Sequence, residues 1–177
     1  MKYNRKFLIV GNPNAITYKE IFPFIMKNKI WLGVKSIGSD MLFDVSEHYA
    51  SDLLSTGTEG SGYKIIDGVI KGRTQGIWFT NLPHDKRNEK LILYRKYSPE
   101  KYPHYDNYDA IEVSKVKDIP EDWAGTMGVP ITFLDKYNPD QFEIIQFRKG
   151  DDGKDLSING RCPYFRILIR NHNPKSR

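Results

Sequence analysis

Apolar residues along this chain come in short runs rather than long helical stripes. KFLIV, residues 6–10, is an unbroken apolar run closed by Gly11, and it predicts a strand buried on both faces, as inside a parallel sheet. Thr17, with Glu20 three residues on, has capping-box spacing, and Ile21, Phe22, Ile25 and Met26 share one helical face. Pro23 does not suit a helix interior, so the helix is kinked there or begins later. Strand, glycine turn and helix make one βα unit.

Beyond it the pattern is strand-like. KIWLGV and MLFDV are short strand candidates, and YKIIDGVIKGR reads as a hairpin turning at Asp67-Gly68. GIWFTNL (76–82) and KLILYRKY (90–97) are further strands, separated by the polar loop PHDKRNE. Residues 98–110 are rich in Pro and Tyr and predict irregular structure, followed by a strand in AIEVSKV. PITFLDKY predicts a short helix with Pro130 at its start. QFEIIQF is a strand, GDDGKD a turn, Asn159-Gly160 a hairpin turn and YFRILIR the last strand. The fold class expected is α+β: one βα unit, then a β-rich region. A parallel sheet cannot be built from one strand and one helix, so the leading strand expects neighbours from outside these residues.

Composition narrows the partners. The 177 residues carry Lys+Arg 27 against Asp+Glu 22, a net charge of +5, which is compatible with nucleic acid without requiring it. The one cysteine, Cys162, excludes an internal disulfide and a cysteine-rich zinc site, and suggests a reducing, cytoplasmic setting. Cys162 precedes Pro163 and reads as a small packed side chain. No run approaches the roughly 20 apolar residues of a membrane span, so no membrane is expected. FLIV after the basic start is too short for a signal-peptide core of about 7–15 residues.

Asn12-Pro13-Asn14-Ala15, directly after the first strand, invites comparison with the Asn-Pro-Pro-aromatic tetrad of amino-methyltransferases. That chemistry needs a carboxamide and a proline carbonyl on the target amine and an aromatic ring stacked on the flipped base. Asn14 stands at the second proline and Ala15 at the aromatic, so nothing there can stack. A strand-to-helix turn, with Asn12 or Asn14 bonding local backbone, explains the four residues better.

FLIVGNPNAITYKEIF, WFTNL, YDNYDAIEV, MGVPITFLDKYNPDQFEI and FRILIR, in that order, resemble the carboxyl-terminal half of the EcoRI-type adenine-specific DNA methyltransferase family. The MGVPITFLDKYNPDQFEI stretch is the most specific part, since no general physical rule demands it. The resemblance implies residues 1–40 as the end of a Rossmann-like methyltransferase sheet. Residues 41–177 would hold the last sheet strands and a DNA-recognition region. In that family the catalytic tetrad and the Gly-rich motif for S-adenosylmethionine lie ahead of the FLIVGN-type strand. Neither motif occurs here, so the resemblance implies a chain that alone holds no cofactor and methylates nothing. The expected partners are double-stranded DNA and either a second copy or the missing amino-terminal methyltransferase half.

Two basic loops are candidates for phosphate contact: Lys71 and Arg73 after the Asp-Gly turn, and His84, Lys86 and Arg87 after WFTNL. Asn81, with the arginines, has the geometry to read base edges. The alternative for all six is a solvated loop. The tyrosines of KYPHYDNYDA either pack a loop over the core or stack on bases. Two rival functions stay open: an accessory subunit that completes a split methyltransferase, and a metal-dependent nuclease built on Glu112 and Lys115. The nuclease suffers from parity, because residues three apart face opposite sides of a strand. His48, His84, His104 and His172 lack zinc-site spacing.

Overall fold

The computed structural model describes residues 5–148, 156–163 and 165–176. The strands and α-helices follow in chain order as β1 (Leu8–Gly11), α1 (Phe22–Met26), β2 (Trp31–Leu32), β3 (Met41–Asp44), α2 (Glu47–Thr56), β4 (Tyr63–Ile66), β5 (Val69–Thr74), β6 (Ile77–Thr80), α3 (Asp85–Asn88), β7 (Ala110–Glu112), β8 (Thr126–Val129), β9 (Phe142–Arg148) and β10 (Arg166–Asn171). Short 3-10 helices span Pro13–Thr17, Val116–Asp118 and Ile131–Lys136. The chain is α+β, as expected.

Among the described residues the strands form three sheets, ordered β1-β6-β2, β3-β5-β4 and β7-β8-β10-β9. β6 runs antiparallel to both β1 and β2, so these two are parallel to each other with β6 between them. β7 and β8 are parallel, and β10 pairs antiparallel with β8 and β9. Leu32, Ile77 and Phe79 of the first sheet, with Ile16, Phe22 and Ile25 from the turn and helix after β1, pack with Ile111, Met127, Phe142 and Ile167 of the last sheet and Phe133 of the 3-10 helix before β9 into one continuous core. Burial of that many large side chains, at about 1.5–3 kcal/mol each, joins the two sheets into one body. The sheet β3-β5-β4 lies outside this core. Residues 34–75 leave the first sheet after β2 and return to it at β6.

KFLIV departs from the expectation of burial on both faces. Leu8, Ile9 and Val10 are 54%, 55% and 46% exposed, and β1 pairs antiparallel, along one edge only. The apolar run matches a central strand, but among the described residues only β6 lies beside it. Ahead of α1, Thr17 closes the first 3-10 turn rather than capping a helix; Asn12 caps that turn by accepting from Asn14 N–H at 2.8 Å. α1 begins later, at Phe22, with Pro23 tolerated in its first turn.

KLILYRKY is extended but is not a sheet strand; only Arg95 makes a bridge, to Pro120. The helix α2 is absent from the elements expected above, although Ser46 accepts from Tyr49 N–H at its start and Gly57 closes it. β8, in TMGV, was also missed. The Asp67-Gly68 and Asn159-Gly160 turns form as expected, all four residues having positive φ. Pro130 caps the 3-10 helix Ile131–Lys136. The GDDGKD turn lies outside the described residues. Cys162 is exposed rather than packed.

Candidate nucleic-acid interface

Of the six candidate residues, four follow β6 and two lie on β5. Asn81 holds the segment entering β1: its Oδ1 accepts from Phe7 N–H at 2.9 Å and its Nδ2 donates to Arg5 O at 2.8 Å. His84 donates from Nε2 to Leu32 O at 2.9 Å, and its Nδ1 is buried without a hydrogen-bond partner among the described residues. Lys86 donates to Val34 O at 2.9 Å and Ser36 Oγ at 3.2 Å. Arg87 is buried, with its guanidinium 5.0 Å from the Trp31 ring centre and 4.9 Å from that of Tyr137. It donates to Asn28 Oδ1 at 2.6 Å and to Tyr137 O at 3.1 Å. Burial pulls its pKa below the usual arginine value. His84, Lys86 and Arg87 meet Trp31, Leu32 and Asp135 around one shallow cleft. Burial raises the Asp135 carboxyl above its usual range, against hydrogen bonds from Ile37 N–H at 2.9 and 3.0 Å.

Lys71 and Arg73 sit in a strand, not a loop, and on one face of β3-β5-β4. Register places Asp44, Lys71 and Lys64 in one row across that face, with Leu42 opposite Arg73. Both cations are already paired: Lys71 with Asp44, and Arg73 with Asp40 at 2.6 Å, where Lys64 also binds at 2.5 Å. Hydrogen bonds from Arg73 and then Lys64 hold the Asp40 carboxyl down at about 2. Residues 34–75 contain four Lys and Arg against six Asp and Glu, so this excursion is acidic although the chain is basic.

The positive charge concentrates elsewhere. Residues 86–101 hold six Lys and Arg against Glu89 and Glu100. Within them the extended segment 90–97 alternates, with Leu91, Leu93, Arg95 and Tyr97 partly buried and Lys90, Ile92, Tyr94 and Lys96 exposed. Gln141 bonds the backbone of Leu91 on both sides, accepting from N–H and donating to O, each at 2.8 Å. Asp122 Oδ1 accepts from Tyr97 N–H at 2.8 Å, and Glu121 N–H donates to Arg95 O at 2.8 Å. Tyr97 packs on Trp123 with ring centres 4.3 Å apart. Sequence reading took this segment for a sheet strand and passed over its outward lysines; charge density over 86–101 was the signal available.

Tyr102 and Tyr105 are buried, the packing alternative for the tyrosine-rich stretch. Glu112, the acid of the nuclease reading, is buried too. Arg166 grips it at 2.6 Å through Nη2, and the Tyr105 hydroxyl donates to it. Burial and that hydrogen bond push the Tyr105 phenol well above its usual pKa. No group of three or more His, Cys, Asp or Glu able to hold a metal ion occurs among the described residues. No helix among them is long and apolar enough to cross a membrane.

Comparison with known proteins assigns the sequence to a family. The family described as "Adenine-specific methyltransferase EcoRI" matches residues 1–172. The chain is 54% identical over 173 residues to the Type II methyltransferase M.EcoRI of Escherichia coli, covering 97% of this chain and 52% of that protein. It is 35% identical over 189 residues to the Type II methyltransferase M.MgeORF184P of Mycoplasma genitalium, covering 96% of this chain and 58% of that protein. With the Type II methyltransferase M.MpnI of Mycoplasma pneumoniae the identity is 32% over 188 residues, covering 96% and 57%. The chain thus spans between half and three-fifths of the curated relatives it matches. No solved structure matches it. The chain belongs to the EcoRI family of adenine-specific methyltransferases.

Proposed function

We propose that these residues supply the carboxyl-terminal part of an N6-adenine DNA methyltransferase of a restriction–modification system, and that β1 is the seam where the cofactor-binding part joins. The supporting observation is the edge of β1 that no strand covers among the described residues. Its other edge is taken by β6, and its three apolar side chains stand exposed. An exposed apolar edge strand is a ready template for another strand. A strand added parallel to β1 on that edge would extend the sheet in a Rossmann-like manner.

In this reading S-adenosylmethionine binds the other part, and the methyl group goes to N6 of an adenine turned out of the duplex. The turn after β1 does not fit the cofactor. A Cβ at Gly11 would lie 2.9 Å from the Phe79 ring, so that glycine makes room for packing, and the Asn12 Oδ1 already accepts from Asn14 N–H. These residues therefore contribute duplex binding and no chemical step. Lys71, Arg73 and Lys86 would exchange internal partners for phosphates, while Asn81, His84 and Arg87 set the shape of the loop that approaches the DNA. The recognition region falls within residues 41–177. Residues 1–40 carry β1, α1 and β2, with β6 completing their sheet.

The test is transfer of tritiated methyl from labelled S-adenosylmethionine to adenine-containing duplex. The chain alone should give none. Mixed with the amino-terminal part of the E. coli relative that it does not cover, it should give turnover. Replacing Leu8 and Ile9 by Lys should abolish that turnover and leave the chain folded, because both side chains are exposed. Turnover by the chain alone, or a mixture indifferent to the two lysines, refutes this assignment.

A further inference from the structure

We infer that residues 90–96 form a wedge that enters the duplex, with Ile92 pressing into a base step and Lys90 and Lys96 holding phosphates to either side. This rests on the DNA reading above and adds where, and by what means, the duplex is gripped.

Ile92 is 84% exposed, more than any other large hydrophobic side chain among the described residues. An isolated exposed apolar residue is ordinary by itself, so its setting has to carry the argument. Here it is held: Gln141 fixes Leu91 on one side, while Glu121 and Asp122 fix Arg95 and Tyr97 on the other. Leu91 and Leu93 pack inward against the main core. Alternation then forces Ile92 and Tyr94 outward along with the two lysines. The side chain is displayed, rigidly, at the crest of a ridge.

Charge selects the occupant. The crest lies within the stretch of six cations and two carboxylates, which carries most of the chain's net +5. Neither Lys90 nor Lys96 is engaged in an ion pair or hydrogen bond among the described residues, unlike Lys71, Lys86 and Arg87. An acidic protein partner would meet the same cations, but an apolar contact of two side chains is too small for a stable protein interface. A duplex needs no more: architectural proteins insert single Ile, Leu, Met or Phe side chains between base pairs and anchor on the backbone around them. In an extended chain Lys90 and Lys96 stand roughly 20 Å apart, enough to reach phosphates on both sides of the minor groove, about 6 Å wide, that such wedges enter. Tyr94, 4.8 Å beneath the Arg95 guanidinium, extends the same surface.

The experiment uses the full 177-residue chain and a short duplex carrying 2-aminopurine at successive positions, with donor and acceptor dyes at its ends. The wild-type chain should bind, raise 2-aminopurine fluorescence at one step and shorten the end-to-end distance. Ile92→Ser should remove both optical changes with affinity reduced by no more than about threefold and an unmoved thermal midpoint. Lys90→Ala with Lys96→Ala should lower the slope of log affinity against log salt by about 2. Binding without fluorescence change, or an Ile92→Ser chain that distorts DNA like the wild type, overturns the wedge while the DNA reading stands. No duplex binding at low salt overturns both. A change in self-association on Ile92→Ser, with DNA distortion retained, would make the ridge a protein contact and also overturns it.

Discussion

Gln141 pairs with Leu91 as a neighbouring strand would, its carboxamide supplying one donor and one acceptor to the same residue's backbone, each bond 2.8 Å long. A single side chain thus replaces a ladder rung on one edge of segment 90–97.

Gln141→Leu should therefore loosen that segment selectively. Two half-buried backbone groups lose their partners, a cost toward the low end of about 1–3 kcal/mol. Hydrogen exchange at residues 90–96 should speed up while β9 and β10, in the core, stay protected. Exchange that rises equally in β9 and β10 would show that Gln141 supports the whole core instead.

Arg87 is expected to behave as a structural residue before any role at DNA is seen. Arg87→Met keeps its bulk but deletes the bonds to Asn28 and Tyr137 and both ring contacts. Stability in urea should fall by about 2–3 kcal/mol, with Arg87→Lys intermediate. An unchanged midpoint for Arg87→Met would mean that the guanidinium contributes nothing to folding.

Acid should expose the Asp40 cluster. Its carboxyl titrates at about 2 when folded against 3.8 ordinarily, because Arg73 and Lys64 bond the ionised form. A depressed carboxylate stabilises fully above the ordinary value and progressively less as pH falls toward the folded one. The wild type should lose thermal stability between pH 4 and pH 2 more steeply than Asp40→Asn. Parallel curves for the two proteins across that window would remove Asp40 from the account.

Local signals were legible in the sequence wherever the chemistry was local. Asp67-Gly68, Asn159-Gly160 and Pro130 each dictate their own backbone, and each formed as read. Ser46 and Gly57 marked α2 equally well and were overlooked. KFLIV and KLILYRKY failed for a different reason: an apolar run reports what a strand is built to touch, not which neighbours lie within the same chain. Among the cations the limit is sharper. Lys71, Arg87 and Lys90 are alike in sequence, and only tertiary placement gives the first an aspartate, buries the second and leaves the third in water. Glu112 entered only as the acid of a nuclease reading, because Arg166, 54 residues away, was invisible as its partner.

The route of residues 34–75 has an evolutionary consequence. They depart after β2 and return into its immediate neighbour β6, with Gly33 N–H bonded to Trp78 O at 2.8 Å across the junction. Because the way out and the way back lie side by side, this stretch works as an interchangeable cassette. A descendant can lengthen it, trim it or swap it whole without rethreading the three strands beneath, since closing a longer loop adds only a fraction of a kcal/mol, about 0.6 per doubling.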